Sequence, residues 1–329
     1  MTVRILVTQK VPQAAYPPLE EIGEVEKNMQ EGVIWSPEEL LKRGPGHEYL
    51  YCLLTDTIDA PFLERCAAAV PRLRLIANMA VGFNNIDIST ATRLGIAVTN
   101  TPGVLDDTTA DLAFGLLIAT ARRISEAERY VRAGKFTGWG PLLFCGAEVH
   151  HATLGLIGAG RIGKVVARRG SGFDMKILYH NRQRLSPEEE AAYHLTYVSL
   201  DELLQQSDFV SIHTPYTPDT HHLISGRELA LMKPEAILIN TARGPVVDEK
   251  ALVRALQTKQ IAGAGLDVFE HEPLIEAELL AMEQVVLVPH IASASLKTRT
   301  LMATMASANI VAHYRGQRPP NILNPEVLK

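Results

Sequence analysis

The stretch Thr153-Leu-Gly-Leu-Ile-Gly-Ala-Gly-Arg-Ile-Gly-Lys164 constrains this chain more than any other. Apolar residues run up to Gly158, and three glycines (Gly158, Gly160, Gly163) follow in the spacing G-x-G-x-x-G. A helical pattern begins at once with Lys164-Val-Val-Ala-Arg-Arg. Strand, glycine turn and helix in that order turn a weak motif into an informative one. Gly158 permits a tight turn, Gly160 lets backbone approach a pyrophosphate, and Gly163 lets the helix pack closely on the strand. The helix N-terminus offers unpaired N–H groups and a positive dipole end to phosphates. The same residues nearly spell a P-loop, Gly158-x-x-x-x-Gly163-Lys164, but Val165 stands where a Ser or Thr hydroxyl would meet magnesium. Dinucleotide binding is therefore the expectation, and triphosphate hydrolysis is set aside.

With 329 residues there is chain enough for two domains of ordinary size. A net charge of −5 gives no sign of a nucleic-acid partner. Cys52, Cys66 and Cys145 form no C-x-x-C pair, which fits a reduced cytoplasmic protein without a disulfide framework or a zinc site. The longest apolar run, Leu112 to Ala121, is about half of a membrane span. Strand-like runs alternate with helical ones on both sides of the glycine turn. They include residues 3–8, 49–54, 73–77 and 96–99 before it, and 175–179, 209–213, 236–240, 265–268 and 285–288 after it. That rhythm argues for an α/β fold of two Rossmann-like or flavodoxin-like domains, each a doubly wound parallel sheet, with a cleft between them. A long helix is expected over roughly 108–133. The last helix, 296–314, follows a dinucleotide domain that is already complete. The expected division is residues 102–291 for the dinucleotide domain, with 1–101 and 292–329 forming a discontinuous second domain.

In the NAD form of this fold an acid about 20 residues past the glycines holds the ribose hydroxyls. Here the second strand runs into Tyr179-His-Asn-Arg-Gln-Arg184, with no acid and two arginines. A carboxylate would repel a 2′-phosphate, whereas a guanidinium grips it. The expected cofactor is NADP(H) in preference to NAD(H), with Arg182 foremost, then Arg184, and with Asn181 able to bond hydroxyl or phosphate.

Three later segments place ionisable groups at predicted strand C-termini, the edge where ligands bind in open α/β sheets. They are Asn240-Thr-Ala-Arg-Gly244, Asp267-Val-Phe-Glu-His-Glu-Pro273 and Pro289-His-Ile-Ala-Ser293. Hydride transfer to a ketone needs a proton donor, for which His serves near neutral pH. A keto acid needs a cation, and Arg grips a carboxylate through two hydrogen bonds. A carboxylate beside the His favours its protonated form. His290, Arg243 and Glu272 fit these needs, and His271, between two acids, competes with His290. The adjacent pairs His150-His151 and His221-His222 are poor chelators at that spacing and read as loop or surface residues; no metal is expected.

Together these pieces resemble the D-isomer-specific 2-hydroxyacid dehydrogenases. Val81-Gly-Phe-Asn-Asn-Ile-Asp87, Thr109-Ala-Asp-Leu-Ala-Phe-Gly115 and His213-Thr-Pro215 match as well, so the likeness covers almost the whole chain. The resemblance implies Arg243 as substrate anchor, Glu272 as partner of the histidine and His290 as acid/base. It implies backbone N–H groups of Val81 and Gly82 on the substrate carboxylate, and a pocket bounded by Leu105, Trp139 and Ser293. It implies Thr109 near the cofactor, Asp267 at the nicotinamide carboxamide, and further cofactor contacts from Arg161, Ile162, His213, Thr214, Pro215, Thr241 and Ala242. It also implies domain closure and a homodimer. Within the family, Gly134-Lys-Phe-Thr-Gly-Trp-Gly-Pro-Leu142 is similar to glyoxylate/hydroxypyruvate reductases, in which Trp139 would reach a partner's active site. Reduction of a small 2-keto acid is the expectation. Alternatives are a 2-ketogluconate or other D-2-hydroxyacid dehydrogenase, or a nucleotide-sensing binding protein like the related corepressors. Ala292 departs from the usual Pro-His-Ile-Gly.

Overall fold

The structure, a computed structural model, describes residues 2–328. The chain divides into two compact units. One runs up to Leu105 and resumes at Ala294; the other is Asp106–Ser293.

The first unit alternates β1 (Val3–Val7), α1 (Tyr16–Glu20), β2 (Gly23–Lys27), α2 (Pro37–Arg43), β3 (Tyr49–Cys52), α3 (Ala60–Ala68), β4 (Leu75–Asn78), α4 (Ile88–Arg93) and β5 (Ala97–Thr99). Its five strands pair in parallel in the order β2-β1-β3-β4-β5. Helix starts follow sequence chemistry: Ser36 accepts the Glu39 N–H at 3.3 Å with Pro37 in the first turn. The C-terminal helix Leu296–Tyr314 belongs to this unit and packs on β4 and α1. Ser307 Oγ on that helix donates to the Ala15 carbonyl at 2.8 Å, a contact across 292 residues.

The second unit opens with α5 (Asp106–Ala121) and α6 (Ile124–Arg132). The single long helix expected over 108–133 is in fact these two. Arg123 is left-handed, with φ of 52°, which few residues other than glycine adopt. Its guanidinium grips Glu126 through two 2.7 Å hydrogen bonds, and Ala147 N–H caps the Ala121 carbonyl at 2.8 Å. The pattern then continues through β6 (Thr153–Ile157), α7 (Arg161–Ser171), β7 (Lys176–His180), α8 (Pro187–Ala192), β8 (Leu195–Tyr197) and α9 (Leu200–Gln206). It ends with β9 (Phe209–Ile212), α10 (Gly226–Leu231), β10 (Ile237–Asn240), α11 (Glu249–Gln257), β11 (Gly263–Leu266), α12 (Ala277–Ala281) and β12 (Val285–Leu287).

All seven strands are parallel, in the order β12-β11-β10-β9-β6-β7-β8. Residues alternate between two buried layers. Leu238 faces a core with Val210 and Leu266, while Ile237 and Ile239 face a core with Leu156 and Tyr179. Burial on both faces explains why β10 reads as an unbroken apolar run. Strand order reverses at β6, whose neighbours are β7 and β9. The carboxyl ends of β6 and β9 are thus the switch point at which a doubly wound sheet binds its ligand. β11 starts two residues earlier than the expected 265–268, because Gly263 pairs with Ile237.

Candidate active site

The glycine turn is built by close backbone contact. Gly158 is left-handed, φ +99°, and a Cβ there would sit 2.9 Å from the His213 carbonyl carbon at the end of β9. A Cβ on Gly163 would overlap the Gly158 carbonyl oxygen. Gly160 is different: a Cβ there would meet nothing within 4 Å. It is the N-cap of α7 and supplies no side chain to cap that helix. An open, uncapped helix N-terminus beside a backbone-only turn suits a pyrophosphate. Two buried hydroxyls, Thr214 Oγ1 and Thr241 Oγ1, stand just past β9 and β10 without a hydrogen-bond partner. Arg182 and Arg184, both expected at the adenosine end, are both exposed, and the structure gives them different partners. Arg184 is bound to Glu190 by two 2.8 Å hydrogen bonds, and Tyr179 Oη gives Glu190 a third at 2.6 Å. These bonds, Arg184's first, hold the Glu190 carboxyl down at about 2. Arg182 is largely exposed, its nearest acid Asp219 at 3.5 Å. Asn181 Oδ1 accepts the Ala159 N–H at 2.7 Å and so ties the strand end to the glycine turn.

At the other end of the carboxyl edge, Glu272 Oε2 lies 2.9 Å from His290 Nδ1, and Glu272 Oε1 accepts the Phe269 N–H at 3.1 Å. Burial alone would raise the Glu272 carboxyl. The hydrogen bond and charge of His290, with help from Phe269 N–H and Arg243, carry it below the usual carboxylate range. His290 is itself left-handed, φ 53°. Asp267 enforces that conformation: its carbonyl accepts the His290 N–H, and its carboxylate accepts Ile291 N–H at 2.6 Å and Ala292 N–H at 2.9 Å. The Asp267 carboxylate, fully buried, thus faces the loop carrying His290, and burial raises it. Arg243, half-buried at the end of β10, senses the Glu272 charge, which opposes the effect of its own burial. Its loop is held by Asn240, whose amide donates to the Arg243 carbonyl at 3.0 Å and accepts from Ala242 N–H at 3.0 Å. The structure therefore gathers Arg243, Glu272 and His290 at one sheet edge, while His271 pairs in a tight bridge with Leu274 within its loop.

His213 sits beside the glycine turn with Nε2 2.9 Å from Ser211 Oγ, and desolvation pushes its imidazole down to about 4. Arg161, in the first turn of α7, lies 3.5 Å from Asp106. Thr109 is buried in α5. Ile162, Ala242 and Ser293 are half-buried, Pro215 is exposed, and Trp139 is 85% exposed on the segment after α6. Val81, Gly82 and Leu105 belong to the first unit. There the Val81 carbonyl accepts from Asn100 at 2.8 Å and the Gly82 carbonyl from Asn78 at 3.0 Å. One cluster escaped the sequence reading. His222, read as a loop or surface residue, lies 2.6 Å from Glu270, and Glu270 in turn is bonded to Glu249. Among the described residues no group of His, Cys, Asp or Glu is arranged to hold a metal ion, and no helix is long and apolar enough to cross a membrane.

Comparison with known proteins shows the family. The family described as D-isomer specific 2-hydroxyacid dehydrogenase, NAD binding domain, matches residues 114–292. A glyoxylate reductase of Korarchaeum cryptofilum is 49% identical over 100% of this chain and 98% of its own length. A glyoxylate reductase of Thermococcus litoralis is 46% identical over 100% of this chain and 98% of its own. Among solved structures, an NADPH-dependent glyoxylate/hydroxypyruvate reductase of Sinorhizobium meliloti, in complex with NADP and malonate, is 33% identical. It superposes with a TM-score of 0.85 over 98% of this chain and 97% of that one. On its sequence, its seven-stranded parallel dinucleotide sheet and the full-length likeness of its relatives, this chain belongs to the D-isomer specific 2-hydroxyacid dehydrogenase family and is an NAD(P)-dependent dehydrogenase.

Proposed function

We propose that the enzyme reduces a small 2-keto acid, with glyoxylate and hydroxypyruvate as first candidates, and prefers NADPH to NADH. The observation that carries this reading is the 2.9 Å Glu272–His290 pair, electrostatically linked to Arg243, on the carboxyl edge of the sheet that holds the glycine turn. A nicotinamide cofactor bound there supplies the hydride. The chain's own residues supply the rest. With Nδ1 held by ionised Glu272, His290 carries the transferable proton on Nε2 and donates it to the oxygen that becomes the hydroxyl. Arg243 pairs with the substrate carboxylate, assisted by the Val81 and Gly82 amides. Asp267 fixes the His290 loop and would hold the carboxamide end of the cofactor.

The NADPH preference rests on exposed Arg182 and on the absence of an acid at the end of β7. The name of the Sinorhizobium meliloti reductase supports the same preference. A homodimer is part of this reading, with Trp139 and its apolar neighbours covered by a second copy. The proposed division of labour assigns residues 102–291 to the cofactor and 1–101 with 292–329 to the substrate.

The test is a panel of 2-keto acids, glyoxylate and hydroxypyruvate beside 2-ketogluconate, assayed with NADPH and NADH in parallel. The expected result is highest kcat/KM for the two small acids and a lower KM for NADPH. His290→Ala should lower kcat by about a thousandfold, in keeping with loss of general acid catalysis, while cofactor still binds. Unchanged turnover in that variant removes His290 from the mechanism. Silence on the whole panel favours a nucleotide-sensing binding role.

A further inference from the structure

The loop that carries Glu272 is anchored by a charged residue from a different element. Glu249, the first residue of α11, is 6% exposed. Its Oε2 accepts the Glu270 N–H at 2.8 Å and its Oε1 accepts the Glu276 N–H at 2.9 Å. One carboxylate thus closes both ends of the loop 270–276, with Glu272 inside. Glu270 returns the bond: its Oε2 accepts the Glu249 N–H at 3.1 Å. Its other oxygen, Oε1, lies 2.6 Å from His222 Nε2. His222 is left-handed, φ 51°, and its own N–H donates to the Pro245 carbonyl at 2.9 Å, two residues past Arg243. The two loops also touch directly, since a Cβ on Gly244 would overlap the Phe269 carbonyl.

We infer that Glu249, Glu270 and His222 form a positioning relay that fixes the Glu272 loop against the Arg243 loop, and so sets the alignment of the Glu272–His290 pair with the substrate anchor. This inference rests on the reductase reading above. The relay touches none of the reacting groups; it acts through backbone. Two neighbouring carboxylates in a mostly buried place are a costly way to join two loops, and an apolar contact would do so more cheaply. What the carboxylates add is direction. Each oxygen is committed to one N–H or to the imidazole, so the loop has one register in which all four bonds form. Glu270 faces His222 and His271, while Glu272 faces His290 and Arg243, with Asp267 beside them.

The test uses His222→Ala, His222→Gln and Glu249→Gln in the full chain. His222→Gln keeps a donor near the position of Nε2, whereas Glu249→Gln loses one of two acceptors. For His222→Ala and Glu249→Gln, kcat should fall about tenfold or more, as small misplacements of catalytic groups do. The loss should fall on kcat, because the relay aligns the Glu272–His290 pair without touching the cofactor. NADPH binding, followed by fluorescence, should be unchanged, and His222→Gln should recover most of the activity. The inference is overturned if His222→Ala keeps wild-type kcat. It is equally overturned if activity falls only in proportion to the folded fraction, or if His222→Gln is no better than His222→Ala. Should Glu249→Gln fail to fold, the partly exposed His222 variants still decide the matter. Wild-type silence on the keto-acid panel is a separate outcome, which overturns the reductase reading and this inference with it.

Discussion

Arg182 and Arg184 are two residues apart, carry the same charge and are both exposed, yet only Arg182 is loosely held. Arg184 is engaged by Glu190 on one side and lies over the Tyr197 ring, 5.5 Å from its centroid. Replacing Arg182 with Ala should raise the KM for NADPH about tenfold and leave that for NADH alone, as expected for one lost charge-assisted bond. Arg184→Ala should instead affect both cofactors alike, because it releases the loop rather than a phosphate. Equal effects of Arg182→Ala on the two cofactors would remove it from the 2′-phosphate. His213 allows a prediction in pH. Its imidazole titrates near 4 in the folded chain against an ordinary 6.5, so the unfolded chain takes up the proton first as pH falls. Its contribution to stability is fully present above about 6.5 and is lost as pH falls toward 4, by at most about 3 kcal/mol. Urea unfolding at pH 7 and pH 4.5 should show a smaller difference for His213→Gln than for wild type; equal differences would sink the idea. The sequence made Arg243, Glu272 and His290 readable because each follows an apolar run that had to be a strand. It concealed His222 and Glu270, since nothing local announces that a histidine in a loop will meet an acid 48 residues later.

At the level of elements, the glycine turn was legible because Gly158 and Gly163 answer backbone contacts that no side chain could survive, while Gly160 leaves the helix N-terminus open. Gly163 is the strictest, lying against the Gly158 carbonyl oxygen. Gly163→Ala should push α7 away from β6 and weaken binding of either dinucleotide by about tenfold or more. A fluorescence titration measures it, and unaltered affinity would show that the helix can move without harm to the phosphate site. Gly160→Ala leaves the empty protein undisturbed, as a Cβ there meets nothing, so its cost should appear only on cofactor binding. The division of the expected 108–133 helix was not legible. Residues on both sides of Arg122-Arg123 favour helix, and the break is made by tertiary partners. These are Ala147 on the Ala121 carbonyl, and Phe144 under the Arg123 guanidinium at 5.1 Å. Short elements such as α4, α8, α12 and β8 were also missed, each too brief to show a period.

For the whole molecule, the apolar surface of α6 and the segment after it is what a single copy leaves unexplained. No residue of α6 is buried, although Ile124 and Val131 are apolar and half or more exposed. Phe136 is similarly exposed, and Trp139 and Leu142 are 85% and 83% exposed. Five large apolar side chains exposed within 19 residues exceed the scattered surface hydrophobics of an ordinary monomer. A second copy is the occupant that needs no other gene product, and a two-fold contact lets the same stripe serve both chains. Burying these side chains would supply the aromatic anchors that dominate interface energetics. Sedimentation equilibrium should therefore give twice the chain mass for the wild type, and Trp139→Ala combined with Leu142→Asp should shift it toward a single chain. If Trp139 also bounds the partner's pocket, that variant, assayed at concentrations where it still pairs, should gain turnover on 2-ketogluconate relative to glyoxylate. A wild type of single-chain mass, or a double variant that pairs as tightly as wild type, would place the partner of this stripe elsewhere. A double variant that falls to monomers with its keto-acid preference unaltered would keep the dimer and take Trp139 out of substrate selection.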